Sequence, residues 1–201
     1  MKDMKVTAFK AEVWFRVFVY ILFALFMLAK SAFGQNWVEE RTFVAGGVAT
    51  ERIDGLLTRP IRGKWGDFIW FQDQQGYAES YLGGTLSPKP CLQFALGAGL
   101  EEAKHPGRIG SYVWLGNKRN SVLFIAEDGG SGFWYKVEAL HTFSPFLDGG
   151  FIEERFKGSG PEVKFGIPHT PFAIWGTPMI DRDPSSRHFR TNILIGVRWS
   201  L

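Results

Sequence analysis

The sequence predicts an all-β fold, an up-and-down antiparallel β-barrel of about 10 to 12 strands preceded by a signal peptide, and the last strand, described below, favours a transmembrane β-barrel. Three observations support this prediction. Short runs of alternating apolar and polar residues recur after the first 36 residues, separated by clusters of Gly, Pro, Asn and Asp. No window in that part of the chain has the 3.6-residue period of an amphipathic helix. Tight turns and more polar loops alternate strictly between the runs, as the two ends of a barrel built from hairpins require.

The amino-terminal segment has the composition of an export signal. A basic beginning extends through Arg16, and an apolar run of 13 residues covers 17–29. Ala32 and Gly34 supply the small residues that a signal peptidase recognises. The run is shorter than the ~20 apolar residues that a spanning helix needs.

We therefore expect a signal peptide over residues 1–34, cleavage before Gln35, and a single barrel domain over residues 35–201. The alternative is an uncleaved helical anchor that extends back to Val13.

The charge of the chain argues against a nucleic-acid partner. The chain carries 23 Lys and Arg against 20 Asp and Glu, and the first 34 residues hold 5 of the basic and 2 of the acidic residues. The rest of the chain is therefore neutral and carries no basic excess that could bind phosphates. Cys91 is the only cysteine, so no internal disulfide is expected.

Eleven alternating runs are predicted as strands. A barrel whose termini lie at one end needs an even number, and either the Gly46–Gly47 pair or the poorly patterned residues 50–63 could hide a twelfth. The predicted strands lie near residues 37–50, 64–73, 76–86, 91–101, 109–116, 121–127, 132–143, 148–157, 161–167, 171–179 and 188–201.

The stretch "CLQFALGAGLEE" (91–102) shows the question that the alternation leaves open. Its leucines, Phe94 and Ala98 share one face, and Gln93, its glycines and Glu101 share the other. A soluble barrel would bury the leucine face, whereas a membrane barrel would turn the same face toward lipid.

Hairpin geometry predicts a charged face on three successive strands. If Phe143 pairs with Asp148, and Phe156 with Pro161, six charged residues share one face in two rows of opposite charges. The same pairing sets Glu154 on the opposite, apolar face. The predicted lumen charge cluster consists of Lys136, Glu138, Glu153, Arg155, Glu162 and Lys164.

The last strand, "FRTNILIGVRWSL" (189–201), favours the membrane interpretation. It resembles the terminal strand of bacterial outer-membrane β-barrel proteins, an alternating amphipathic strand that the assembly machinery reads. It departs from that family in ending with Leu201 where phenylalanine is usual, while Trp199 supplies an aromatic close by. The predicted assembly strand presents on one face Phe189, Ile193, Ile195, Val197, Trp199 and Leu201.

This resemblance implies a cell outer-membrane location, with outer-membrane lipid and the barrel assembly machinery as partners. The six charged residues would then line a wet lumen. Aromatic residues near the ends of the runs would form girdles at the two membrane interfaces. The aromatic residues in question are Trp65, Trp70, Tyr77, Tyr81, Tyr112, Trp114, Phe133, Tyr135, Trp175 and Trp199.

Catalytic and metal-binding patterns are absent from the sequence. Lipid A deacylases, which resemble this chain in size, use a His-x-Ser pair, but Thr142 and Phe143 follow His141 here. The other histidines fall in separate turns and share no ligand spacing. We expect no catalytic residues, no metal site and no cofactor.

The expected function is a non-enzymatic outer-membrane β-barrel, either a narrow pore or a structural barrel with a charged lumen. Two alternatives remain. One is a soluble periplasmic β-barrel that binds a small apolar ligand, and the other is a lipid A-modifying barrel enzyme.

Overall fold

The computed structural model describes residues 36–182 and 189–201, which form one closed antiparallel barrel. The signal peptide predicted over residues 1–34 lies outside the described residues. The twelve strands are β1 (Trp37–Ala45), β2 (Val48–Arg62), β3 (Trp65–Gln74), β4 (Tyr77–Lys89), β5 (Leu92–Glu101), β6 (Gly107–Gly116), β7 (Asn120–Gly129), β8 (Trp134–Ser144), β9 (Leu147–Glu154), β10 (Gly158–Gly166), β11 (Phe172–Arg182) and β12 (Phe189–Ser200).

Pairing of the first and last strands closes the barrel. β1 pairs with β12 from Trp37 opposite Ser200 to Val44 opposite Ile193, and every other strand pairs with its neighbours in sequence. A closed sheet has no free edge, so its backbone groups are hydrogen-bonded without help from solvent. The predicted all-β, up-and-down architecture is confirmed. Within the two described ranges, no helix has the length and apolar character to cross a membrane.

The prediction of eleven runs missed one strand, β2. Gly46 and Gly47, with φ of 57° and 80°, form the two-residue turn that ends β1, and β2 occupies most of the segment whose pattern was poor. The alternation in β2 is weak because its lumen face mixes the charged Arg52 and Asp54 with the apolar Leu56.

The apolar face of the barrel points outward. In β5, Leu96 and Leu100 are 64% and 52% exposed, whereas Gln93 and Glu101 are buried in the lumen. The soluble alternative, which required the leucine face to be buried, does not fit this arrangement. An exterior of this kind is stable where lipid surrounds it.

The terminal strand follows the same rule. Ile195 on its outer face is 49% exposed, while Asn192 and Arg198 on its inner face are buried. The pairing of β12 with β1 and β11 places alternate residues of this strand on the outer face. The outward residues are Phe189, Ile193, Ile195, Val197, Trp199 and Leu201.

The register between β8 and β9 differs from the prediction. A bulge between Thr142 and Ser144 shifts the pairing by one residue, so Lys136 lies opposite Glu154 and not Arg155. A one-residue slip moves every side chain of a strand to the other face. The prediction that Glu154 faces lipid is therefore wrong, and its carboxylate points into the lumen.

The same slip takes Glu153 and Arg155 out of the predicted row of charges on the lumen face of β9. Glu153 lies on the outer face, where the hydroxyl of Tyr135 donates a hydrogen bond to it at 2.7 Å. Arg155 lies in the turn after β9, with its guanidinium over the rings of Phe133 and Phe156. The placement of Glu153 and Arg155 on a shared lumen face of β9 was therefore wrong.

A second register shift, between β9 and β10, offsets the first. The turn over residues 155–157 pairs Glu154 with Gly158, not Phe156 with Pro161 as predicted. This second shift again exchanges the inward and outward positions along the strand, so the two shifts cancel. Glu162 and Lys164 therefore return to the lumen, on the same side of the wall as Lys136 and Glu138.

Aromatic residues divide between the two faces. Trp65 and Phe143 are exposed on the outside near the end of the barrel that carries both termini, as in an interface girdle. Most other aromatics expected in the girdles point inward, among them Trp70, Tyr81 and Tyr112. The girdle prediction was wrong for these residues, because it considered the position of each residue along its strand but not the face of the sheet on which its side chain lies.

Inward glycines make room for the inward rings. A Cβ on Gly97 would lie 2.9 Å from the ring of Phe68, and a Cβ on Gly110 would lie 2.7 Å from the ring of Tyr81. Contacts this short do not occur at real Cβ atoms, so the Phe68 and Tyr81 rings fit because a strand two positions away in the sheet has a glycine at the point of contact.

A charge at mid-height on the outer wall should destabilise the barrel. For Ile195→Lys we expect a loss of about 2 to 4 kcal/mol in the free energy of unfolding from lipid vesicles, because the ammonium would face hydrocarbon. Thr191→Lys, on the same face of β12 but closer to its end, is the matched control, with an expected loss of about 0 to 1 kcal/mol. Equal losses for both variants would contradict a membrane-facing exterior.

Candidate functional site

A connected set of ionised side chains crosses the lumen at mid-barrel. Its members project from β1, β2, β8, β9, β10 and β12 and from the turn after β9. We call this set the central network, and it consists of Glu39, Arg41, Arg52, Asp54, Lys136, Glu138, Glu154, Lys157, Glu162, Lys164 and Arg198.

Glu138 is the centre of one half of the network. Arg198 donates two hydrogen bonds to its carboxylate, at 2.8 and 3.0 Å. The ammonium groups of Lys136 and Lys164 lie 3.0 and 3.1 Å from the same carboxylate. Arg198 also reaches Glu39 at 2.6 Å, which links β8 and β12 to β1. Such paired, charge-assisted hydrogen bonds are stronger than neutral ones.

Glu154 is the centre of the other half. Arg41 donates a hydrogen bond to it at 2.8 Å across the lumen, and Arg52 and Lys157 lie 3.1 and 2.8 Å from its other oxygen. Arg41 also contacts Asp54 at 2.6 Å. Burial lowers the pKa of the Lys157 ammonium below its usual value, and the Glu154 carboxylate opposes that shift.

Aromatic rings fill the remainder of the lumen cross-section. Trp37 and Trp70 pack edge to face with ring centroids 5.7 Å apart, and Phe68 meets Tyr112 in the same way at 5.3 Å. The guanidinium of Arg198 lies 4.6 Å from the Trp37 ring, so the ionic and aromatic halves are in contact.

The lumen is closed at this level. Lys136 is 0% and Glu154 is 1% exposed, although both point toward the barrel axis. Side chains that line an open, water-filled pore would be exposed. The central network and the aromatic rings therefore form a barrier across the barrel.

Each end of the barrel has a cavity among the described residues. The loop-end vestibule, at the end opposite the termini, has a volume of about 300 Å³. Its walls include Arg52, Glu79, Arg108, Glu127, Trp134 and Lys157. The terminal-end vestibule has a volume of about 250 Å³. Its walls include Asn36, Trp37, Trp114, Asn117, Ser121 and Arg198.

Comparison with solved structures shows which fold this architecture belongs to. The chain is similar to the KdgM porin, with a TM-score of 0.55, 13% sequence identity, and coverage of 82% of this chain and 99% of that one. The KdgM porin in complex with disordered oligogalacturonate matches at 0.55 with 12% identity over the same shares of the two chains. The NanC porin matches at 0.53 with 10% identity, covering 82% of this chain and 100% of that one.

The chain has the porin fold. No family model matches its sequence, and no curated protein matches it by sequence either. What it shares with these porins is the closed outer-membrane type of barrel and nearly the whole length of their chains.

Within this porin-fold barrel, four members of the predicted lumen charge cluster meet at the central network. Lys136, Glu138, Glu162 and Lys164 are all buried in the lumen. The sequence prediction missed Glu39, Arg41, Arg52, Asp54, Glu154, Lys157 and Arg198. Several of their partners are remote in sequence, as for Arg41 and Glu154, which are 113 positions apart. Arg198 was recognisable, because it lies on the polar face of the terminal strand.

Among the described residues, the histidine considered for lipid hydrolysis pairs with an amide and not with a carboxylate. His141 lies opposite Asn120, whose side-chain oxygen is 2.8 Å from Nδ1. His141 is on the outer face of β8, whereas Glu154 is on the lumen side of the wall. These two residues therefore cannot act together as a base and its orienting carboxylate.

The central network should contribute to stability only when it is complete. Glu138→Gln leaves three buried cations without their carboxylate, and we expect a loss of about 3 to 5 kcal/mol in the free energy of unfolding. Glu153→Gln, on the outer face, is the control and should change that free energy by about 1 kcal/mol or less. Denaturant unfolding of the refolded barrel in detergent measures both. A larger loss for Glu153→Gln than for Glu138→Gln would contradict our assignment of Glu138 to the lumen and Glu153 to the outer face.

Proposed function

We propose that the protein is a non-enzymatic outer-membrane β-barrel whose lumen is a narrow channel, closed at rest by the central network. One observation carries this proposal, namely the chain of ion pairs that spans the lumen from β1 to β8 and β9. Ions and small solutes pass through barrels whose polar interiors hold water, and charged rings at a constriction set the selectivity.

The outer-membrane location is supported by the surface of the barrel. The apolar exterior suits lipid, and the aromatic residues near the terminal end suit an interface. The amphipathic β12 closes the barrel against β1, which is consistent with the barrel assembly machinery as a partner and with outer-membrane lipid around the wall. Export through the signal peptide, with cleavage before Gln35, completes this proposal.

The pairing of the lumen charges distinguishes this barrel from a freely open pore. One of the similar porins was solved with an oligogalacturonate. In this chain the cations Arg41 and Arg198 are already bound by the carboxylates of Glu154 and Glu138. Passage of a solute therefore requires the network to rearrange. A purely structural barrel is the second candidate, and the complete burial of Lys136 favours it.

Removing one ion pair should open the lumen. The double variant Glu138→Ala/Arg198→Ala deletes a cation and an anion together, so the net charge of the network is kept while side-chain volume is lost. In planar bilayers we expect low single-channel conductance for the parent protein and a several-fold increase for this variant.

Arg59→Ala/Asp67→Ala is the matched control, because it deletes an ion pair outside the lumen. Its conductance should equal that of the parent. A parent that already conducts as well as the lumen variant would show that the network is no barrier. An absence of conductance in all three proteins would favour the structural barrel.

Cell fractionation tests location and processing together. We expect the protein in the outer-membrane fraction, extractable only with detergent, at the mass of a chain that begins at Gln35. Trp199→Asp/Leu201→Asp should accumulate in the periplasm in a protease-sensitive form, because the closing strand loses its lipid face. Retention of residues 1–34 in the membrane-bound protein would contradict export by a cleaved signal.

A further inference from the structure

One wall of the loop-end vestibule is acidic. Three carboxylates surround a single guanidinium, that of Arg108, with oxygen-to-nitrogen distances of 3.4 Å for Glu79, 2.6 Å for Glu101 and 3.2 Å for Glu127. All four side chains are buried. This acidic wall, formed by β4 to β7, therefore holds three carboxyl groups against one cation, and the carboxyl groups of Glu79 and Glu127 hydrogen-bond with each other.

Glu127 is the incompletely satisfied member of the acidic wall. It is only 3% exposed and lines the vestibule. Its Oε2 accepts a hydrogen bond from the Tyr81 hydroxyl at 3.1 Å, but its Oε1 has no hydrogen-bond partner among the described residues. A buried carboxylate oxygen without a donor is costly, so the wall favours an added group that donates hydrogen bonds and carries positive charge.

The opposite wall of the vestibule is basic. Arg52, Arg155 and Lys157 line it, together with one carboxylate, Glu154. Asp54, behind them, is shared between Arg52 and Arg41. Counting Arg41, four cations stand against two carboxylates, so the basic wall has two formal positive charges in excess.

The strand order sets the two walls on opposite sides of the lumen. The basic wall belongs to β1, β2 and the turn after β9, and the acidic wall belongs to β4 to β7. Gln72 and Gln74 of β3 separate the walls on one side, and Trp134 of β8 separates them on the other. The vestibule is therefore polarised across its width.

We propose that the loop-end vestibule binds a small zwitterionic solute, a molecule with an ammonium group and a carboxylate group on one short chain. The ammonium group faces Glu79 and Glu127 of the acidic wall, and the carboxylate faces Arg155 and Lys157. The cavity volume of about 300 Å³ is at the lower end of the range for ligand pockets, which suits a solute of amino-acid size.

The charge pattern disfavours simpler ligands. A lone cation would meet the excess positive charge of the basic wall, and a lone anion would meet the excess negative charge of the acidic wall. A chelated metal is not supported, because the described ranges contain no group of three or more His, Cys, Asp or Glu side chains placed to hold one. A zwitterion satisfies both walls at once.

Calorimetry with matched probes tests this site in the purified full-length barrel in detergent. The zwitterions are ω-amino acids of four and six carbons, and the matched single-charge probes are the alkylamine and the alkanoate of the same lengths. We expect at least one of the zwitterions to bind about tenfold or more tightly than its amine and its acid. The measurement does not require conduction, so it separates this proposal from the proposed channel.

Variants of the two walls assign the two ends of the solute. Glu127→Gln should weaken binding of the zwitterion by about tenfold, and Arg155→Gln should do the same from the other wall. Glu79→Gln replaces the first variant if Glu127→Gln does not fold. Ser121→Ala, in the terminal-end vestibule, is the control and should leave binding unchanged.

Three outcomes would overturn the proposal. Binding of the amine alone as tightly as the zwitterion would show a cation site. Binding that is insensitive to both wall variants would place the solute elsewhere. No heat with any probe would mean that the acidic wall is balanced by protons only.

Discussion

The ion pairs across the lumen are the constraint on which the rest of the structure depends. A twelve-strand wall encloses more space than a backbone can fill, and in this barrel charged and aromatic side chains fill it. Glu138 and Glu154 each bind three cations, two of which in each case come from other strands. Because these carboxylates are buried, removing either one would leave cations in a medium that solvates them poorly.

The network also explains why the two faces of the wall have such different compositions. Lipid favours apolar side chains, so most of the outer face retains a plain alternating pattern. The lumen accepts a charge where a partner reaches it, and it accepts an aromatic ring where a nearby strand has a glycine, as at Gly110 beside Tyr81. The closed middle and the polarised loop-end vestibule both follow from this freedom.

Much of the fold could be predicted because hairpins are local. The turn and loop segments, the alternating runs and the amphipathic β12 can each be recognised within a dozen residues. The candidate site could be predicted from the sequence only in part. Lys136 and Glu138 were placed with their partner Lys164 through two register errors that cancelled, whereas Glu153 was misplaced by a bulge that no local pattern indicates. A bulge changes the face of the sheet on which each following side chain lies, without changing the amino-acid composition of the strand.

By itself the sequence determined the strand-and-turn rhythm and which residue types alternate, since both are properties of neighbouring residues. Only the tertiary structure decided the strand count at β2, the face of Glu154 and the pairing of the lumen charges. Arg198 and Glu39 are 159 positions apart, and Arg41 and Glu154 are 113 apart, yet closure of the barrel brings each pair into contact. Contacts across a lumen depend on the summed registers of many hairpins, so a one-residue shift in any of them selects different partners.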